Sequence, residues 1–321
     1  MATRPEHPLA VHARVQAASA IYGHVIDHGR LRALGVTRWQ ARAQVNAGRW
    51  VRRGRQTFAT APGQLEDQAA RWRAVWEAGE RIALVDGVSA LRAHGLKGWS
   101  EDLVHISAVH NHNVGRIEGV SVHKVARPVE GERTSTGLPC TQPAVAAVRA
   151  AHWAVSDRQA ATLMAMTVQQ RLATGQQLLD AVAQVRGRNR RAFIHRIALD
   201  VADGAHALGE LEFAAACRRR GMPEPTRQSI RRLSDRKAYL DVFFEEYGVV
   251  VEIDGAGHQW GLKALDDHLR DNAVVINGDR VLRINVIGLR LYEDEFMEQV
   301  RAALQSEWAQ ANRRAFRKRA G

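Results

Sequence analysis

The chain has 321 residues, with 46 Lys or Arg against 34 Asp or Glu and a formal net charge of +12. An apolar content of 45% is too high for a disordered chain. No apolar run approaches the ~20 residues of a membrane-spanning helix, and the N-terminus does not resemble a secretory signal. The two cysteines have no metal-ligand spacing. We therefore expect a cytoplasmic, multidomain protein without membrane contact, with nucleic acid as its partner.

The charge is distributed unevenly. Residues 1–60 carry ten Arg and two acids, and residues 311–321, expected to fray as a basic tail, carry five bases and no acid. Residues 186–237 carry thirteen bases and six acids, whereas residues 238–310 carry six bases and fourteen acids. A basic segment that runs into an acidic one is typical of an enzyme that attracts phosphate and holds a divalent cation. An ordinary solvated acidic surface is the alternative.

Residues 1–62 are predicted to form a first domain of short helices and a hairpin. Gly35 ends one helix, Thr37 caps a second that stops at Gly48, and two short strands flank Gly54. This is the order of a winged helix-turn-helix, whose second helix enters the major groove of DNA. A winged helix that serves only as a scaffold is the alternative. The candidates to contact DNA are Arg38, Gln40, Arg42, Gln44, Arg49, Arg52, Arg53 and Arg55.

A mixed α/β middle domain is predicted over residues 63–205. Trp72 and Trp76 lie on one face of an amphipathic helix, and at this spacing we expect them to be core residues. Alternating apolar residues between 103 and 125 predict two or three strands, and residues 142–205 are Ala-rich and helical.

Two stretches of this N-terminal half carry a family resemblance. The segment GRLRALGVTRWQARAQVNAGRWVRRGRQTFAT is similar to the winged helix of AbiEi-type antitoxins, which belong to type IV toxin–antitoxin modules. The segments ALVDGVSALRAHGL and GLPCTQPAVAAV resemble the domain that follows it in many relatives. The resemblance implies sequence-specific DNA binding. It does not by itself imply an antitoxin, because this chain continues into a further domain, and a toxin-like protein is one candidate partner.

Residues 206–310 hold the chemically informative pattern. A helix beginning near Leu208 carries Glu210 and Glu212. The apolar runs AYLDVFF and VVVEIDG, joined by EEYG, predict a hairpin of buried strands that carries Asp241 on the first strand and Glu252 and Asp254 on the second. Carboxylates within apolar strands are costly unless they are paired, protonated or metal-bound. Three converging carboxylates therefore predict a site for Mg²⁺ or Mn²⁺.

This pattern resembles the PD-(D/E)XK restriction-endonuclease superfamily. The motif EIDGAGH is similar to the E-x-D-G-x-x-H signature of a family related to very-short-patch repair endonucleases, and later D-x-x-R and G-D-R-V-L-R elements also match. The resemblance implies that Asp241 and Glu252 bind metal and that Glu212 is the helix carboxylate, with Glu210 as a near competitor. Asp254 stands where the superfamily has Lys.

Three further residues are assigned by the same resemblance. His258 supplies an acid or base in place of the missing Lys, and Arg270 binds a phosphate. For Arg283 the sequence leaves open whether it binds phosphate or pairs with an acid of the site.

The combined prediction is an α+β or α/β multidomain protein. It has a winged helix (1–62), a mixed middle domain (63–205), a restriction-endonuclease-like α/β/α domain (206–310) and a basic tail (311–321). The expected activity is metal-dependent hydrolysis of DNA phosphodiester bonds, with RNA left open as a substrate. A homodimer is one expected assembly, because double-strand cutting needs two such sites. The alternative function is a non-catalytic DNA-binding regulator or antitoxin with a degenerate nuclease fold.

Overall fold

The computed structural model describes residues 7–202, 206–233, 236–254 and 281–320. Its backbone contacts divide the chain into two compact units, Met1–Arg149 and Ala150–Gly321. Both units combine helices with small sheets, so the multidomain α+β class predicted from the sequence is confirmed. Within the described ranges, no helix is long and apolar enough to cross a membrane.

The first unit contains two three-stranded sheets and their flanking helices. Its helices are α1 (Pro8–Ser19), α2 (His28–Ala33), α3 (Arg38–Asn46), α4 (Asp67–Ala78), α5 (Gly87–Ala93) and α6 (Pro143–Trp153), the last of which ends in the second unit. Its strands are β1 (Val25–Asp27), β2 (Val51–Arg52), β3 (Thr57–Ala59), β4 (Ala83–Val85), β5 (Val104–Val109) and β6 (Val120–Val125).

The second unit contains a four-stranded sheet and its helices. The helices are α7 (Asp157–Gln169), α8 (Gly175–Gln184), α9 (Arg191–Ala202), α10 (His206–Arg219), α11 (Val286–Leu291), α12 (Glu293–Gln305) and α13 (Glu307–Ala320). The strands are β7 (Thr226–Leu233), β8 (Arg236–Phe244), β9 (Val249–Asp254) and β10 (Val281–Asn285).

The first sheet has the order β1-β3-β2, and all its pairs are antiparallel. Local signals define the helices beside it. Asp27 caps α2 by accepting from the Arg30 backbone N–H at 2.8 Å, and Thr37 caps α3 in a capping box with Gln40. The predicted helix and hairpin strands are therefore present. Strand β1 was not predicted from the sequence. The core of this module consists of Val11, Val15, Ile26, Leu31, Val36, Ala41, Trp50 and Phe58.

The second sheet has the order β4-β5-β6, with β5 and β6 parallel. Helix α4 lies between the two sheets, and its Trp72 and Trp76 are buried edge-to-face against Tyr22. The prediction that these tryptophans are core residues is confirmed. Arg30 lies over the Trp76 ring at 4.5 Å and donates to Glu80 at 3.1 Å. The predicted domain boundary after residue 62 therefore lies inside a packed unit.

A buried ion-pair group supports the second sheet. Arg149 of α6 contacts Asp86 Oδ2 and Glu132 Oε2, each at 2.6 Å, and all three side chains are at most 8% exposed. Asp86 also accepts from the Gly87 backbone N–H at 2.7 Å. Buried charges are tolerated when they are paired and hydrogen-bonded in this way.

The sheet of the second unit has the order β10-β9-β8-β7. Strands β7, β8 and β9 are antiparallel neighbours, whereas β10 runs parallel to β9. Phe244 lies opposite Val249, so the predicted hairpin around EEYG is confirmed, whereas β7 was not predicted. The sheet packs into a core with α10, α12 and α13 that includes Phe213, Val242, Phe244, Val251, Ile284, Phe296, Val300 and Ala309.

Two predicted boundaries in this part of the chain differ from the structure. Residues 311–321 were expected to fray, but residues 307–320 form α13. This helix packs because Ala309 is fully buried and Asn312 donates to the Tyr247 carbonyl at 3.3 Å. The predicted boundary at 205/206 lies inside the second unit, where Arg290 of α11 pairs with the buried Asp200 of α9.

Candidate functional site

Helix α3 presents an exposed face that carries two arginines and a tryptophan. Arg38 and Arg42 are exposed, and Trp39 is exposed over 78% of its surface. Ala41 and Gln44, on the opposite face, are buried. A large aromatic ring at this exposure between two cations is unusual for a residue with a purely structural role.

The two glutamines predicted to contact DNA both make hydrogen bonds within the fold. Gln40 accepts from the Thr37 backbone N–H at 2.8 Å as part of the capping box. Gln44 is only 1% exposed; its amide donates to the Pro8 carbonyl at 2.7 Å and accepts from Arg49 Nε at 2.6 Å. The assignment of Gln44 to the exposed face was wrong, because the buried stripe of α3 passes through this position.

The arginines of the β2–β3 hairpin differ in their roles. Arg52 donates to the carbonyls of Gly54 and Arg55, at 2.9 and 3.2 Å, and so closes the turn. Arg53 donates to the Gly63 carbonyl. Arg52 and Arg55 are exposed, whereas Arg49 and Arg53 are half-buried. Of the six arginines predicted to contact DNA, four are exposed: Arg38 and Arg42 on α3, and Arg52 and Arg55 on the hairpin.

The pKa of His28, at the start of α2, reflects both burial and the positive charge of this surface. Burial, followed by the nearby Arg52 and Arg38, lowers the pKa of His28 below its ordinary value. A cavity of about 430 Å³ lies here, lined by His28, Arg32, Thr37, Arg38 and Gln56 among others. The start of α3 and the hairpin therefore share one cationic region.

The acidic candidates of the second unit lie on the predicted elements. Glu212 is on α10, Asp241 on β8, and Glu252 and Asp254 on β9. The β8–β9 pairing ends with Val242 opposite Val251, so Asp241 and Glu252 are the next residues along the two strands. The backbone therefore brings these two positions to the same end of the paired strands.

Glu252 is the predicted metal ligand whose side chain the structure describes. It is half-buried, and its Oε2 lies 3.2 Å from Nε of Arg283, its parallel neighbour on β10. For Arg283, the structure therefore favours pairing with an acid of the site, one of the two alternatives left open by the sequence. His258 and Arg270 lie outside the described residues. Among the described residues, no group of three His, Cys, Asp or Glu side chains is arranged to hold a metal ion.

Trp39 is the residue of the candidate interface that the sequence analysis missed. The signal was available, because position 39 falls opposite the buried stripe of α3 that includes Ala41 and Gln44. The residues predicted on this helix were all polar, whereas its exposed aromatic residue is equally well placed.

No family model and no curated protein matches the chain. Among solved structures, the chain is similar to the RV2827C protein from Mycobacterium tuberculosis, at 15% sequence identity and a TM-score of 0.39. The similarity covers 59% of this chain and 77% of that one.

Proposed function

We propose that the chain is a DNA-binding protein and that residues 1–62 form its winged helix-turn-helix. The element order α1, β1, α2, α3, β2, β3 and the sheet order β1-β3-β2 support this proposal. In that arrangement α3 is the helix that enters the major groove, and the β2–β3 hairpin is the wing that contacts the phosphates.

The exposed face of α3 is the observation that carries the proposal. Arg38 and Arg42 are positioned to contact phosphates or guanine edges, and Trp39 offers an apolar surface to a sugar or a thymine methyl group. Residues 1–60 contribute ten Arg and two acids, so the sequence-independent attraction to the DNA backbone is also strong.

A mobility-shift titration across salt concentrations tests this proposal. Replacing Arg38 and Arg42 by Ala removes two proposed contacts, which we expect to weaken binding by roughly 10- to 100-fold. Arg127→Ala serves as a control, because Arg127 is an exposed arginine of the same unit that lies outside the proposed interface. Equal binding by the double variant and the wild type would refute the role of α3.

A second candidate function, metal-dependent phosphodiester hydrolysis, is supported by the second unit. The order of helix Glu212, strand Asp241 and next-strand Glu252 agrees with the PD-(D/E)XK pattern. Oxygen donors of this kind suit Mg²⁺ or Mn²⁺, which would neutralise charge on the scissile phosphate. We propose that Asp241 and Glu252 hold the ion, with Asp254 and His258 in place of the usual Lys chemistry and Arg270 on phosphate.

Incubation of supercoiled plasmid with the full chain and Mg²⁺ or Mn²⁺ tests this second function. We expect nicking by the wild type and none by Asp241→Ala/Glu252→Ala. A wild type that shifts DNA but does not nick it would instead favour the regulator or antitoxin alternative, with a degenerate nuclease fold. Parallel reactions with single-stranded RNA distinguish the two substrates.

A further inference from the structure

A cavity of about 810 Å³ opens beside the β2–β3 hairpin, within the first unit. It is bounded by the hairpin, by α4 and by the loop at residues 115–119 that precedes β6. Its charged lining residues are Arg52, Arg53, Arg55, Arg73, Arg116, Glu77 and Glu118. Five cations against two anions give the cavity a positive charge, and they come from segments far apart in the sequence.

One of the two acids is already committed to the fold. Glu77 accepts from the backbone N–H groups of Arg55 and Gln56, both at 2.8 Å, and from the Thr57 hydroxyl at 2.7 Å. Gly54 permits this contact, because a Cβ at that position would come within 2.3 Å of Glu77 Oε1. Glu77 therefore holds the hairpin turn against α4.

Arg73 holds the cavity together from the other side. Its Nε donates to the Arg53 carbonyl at 2.6 Å, and its Nη1 donates to the Glu118 carbonyl at 2.9 Å. These bonds connect the hairpin to the 115–119 loop. A site whose cations are held in place before binding loses less side-chain entropy when a ligand arrives.

Donors remain unused inside this frame. Arg53 Nε is buried and has no hydrogen-bond partner among the described residues. Arg116 is exposed, and its side chain makes neither a hydrogen bond nor an ion pair with any residue that the structure describes. An unpaired buried donor is costly unless a ligand satisfies it. Guanidinium groups in this number and arrangement are suited to a phosphate.

We propose that this cavity binds a backbone phosphate of the DNA. Arg73 on α4 and Arg116 in the loop before β6 would then extend the DNA interface from the β2–β3 hairpin to the sheet β4-β5-β6. The inference rests on the proposed DNA binding of residues 1–62. It predicts a longer contact along one DNA strand than the winged helix alone would make.

The test uses Arg116→Gln, because Arg116 has no structural contact whose loss would disturb the fold. Binding of a mixed-sequence DNA duplex several turns long is measured by fluorescence anisotropy over a range of salt concentrations. We expect the slope of log K against log salt to fall by about 1, with roughly 3- to 10-fold weaker binding at low salt. The matched control Arg127→Gln removes the same charge outside the cavity and is expected to leave the slope unchanged.

The outcomes separate this inference from the proposed function. A wild-type slope in Arg116→Gln, or an equal fall in Arg127→Gln, overturns the inference while Arg38→Ala/Arg42→Ala still tests α3. If the wild type binds no duplex, both proposals fail. In a second arm, inorganic phosphate is added in a thermal-unfolding assay. Phosphate stabilisation that Arg116→Gln abolishes, combined with an unchanged salt slope, would assign the cavity to a small phosphate ligand and overturn the DNA contact.

Discussion

Two groups of paired charges in this protein differ in how far water reaches them. Arg149 and its partners Asp86 and Glu132 are nearly fully buried, and both contacts are 2.6 Å long. Glu252 and Arg283 pair at 3.2 Å with 35% and 66% of their side chains exposed. In the first group, Arg149 and backbone N–H groups complete the hydrogen bonds of both carboxylates, and water is nearly excluded. The second keeps a carboxylate within reach of a ligand, so exposure rather than residue type distinguishes the candidate site.

Replacement of Arg149 by Met is expected to have the largest effect on stability. The variant keeps an apolar side chain of similar length but leaves two buried carboxylates without a cation. Breaking a buried pair in this way costs about 3–5 kcal/mol of unfolding free energy. Urea denaturation followed by circular dichroism measures the change.

Arg127→Met is the matched control for this variant. Arg127 is exposed, and its replacement is expected to change the free energy of unfolding by less than about 0.5 kcal/mol. If Arg149→Met unfolds at the same urea concentration as the control, the buried group contributes no more than a surface charge. The contrast with the Glu252–Arg283 pair would then disappear.

A histidine pair on the second sheet is half-buried, so its exposure lies between that of the Arg149 group and that of the Glu252–Arg283 pair. His105 Nδ1 and His123 Nε2 lie 2.9 Å apart, and Ser121 Oγ lies 3.2 Å from His123 Nε2. Burial and then His105 lower the pKa of His123 to about 4, and burial also lowers the pKa of His105, opposed by the nearby Glu101 and Asp86. The folded protein therefore keeps His123 neutral at a pH where the unfolded chain protonates it.

This pair predicts a loss of stability as the pH falls. A lowered pKa means that the unfolded state binds more protons, so the stability is present above about 6.5 and is lost between there and about 4. We expect His123→Gln to reduce that loss by on the order of 1–2 kcal/mol, a value discounted for partial exposure. Urea midpoints across this range measure it. Identical pH profiles for variant and wild type would contradict a buried neutral pair.

The sequence predicted the elements that local chemistry determines. Thr37 and Gly48 define the ends of α3, and the EEYG turn joins β8 to β9, because capping and turn residues act over a few positions. Strand β1 was missed because three residues carry too short a pattern. Helix α13 was missed because its second half is strongly basic, and only tertiary contacts such as that of Asn312 show that it packs.

The candidate sites also divide into positions that local sequence spacing predicts and contacts that depend on tertiary packing. The exposed positions of α3 follow from helical spacing, and that spacing also explains why Gln44 is buried. The Glu252–Arg283 pair depends on the parallel register of β9 and β10, which no local pattern encodes. The cavity that joins Arg73 and Arg116 to the hairpin arises from packing between distant segments, so the sequence offered no signal for it.

Replacement of Glu252 by Gln is expected to have the smallest effect on stability and a decisive effect on activity. Because the pair is solvent-exposed, its loss costs less than about 1 kcal/mol. The same change removes an anionic oxygen from the proposed metal site, so nicking of supercoiled plasmid is expected to fall to the level without added metal. Glu298→Gln is the control, because Glu298 also pairs with an arginine, Arg301 at 3.3 Å on α12, and is 68% exposed. A stability loss above about 2 kcal/mol would place Glu252 with the buried structural group. Unchanged nicking would remove it from the catalytic site.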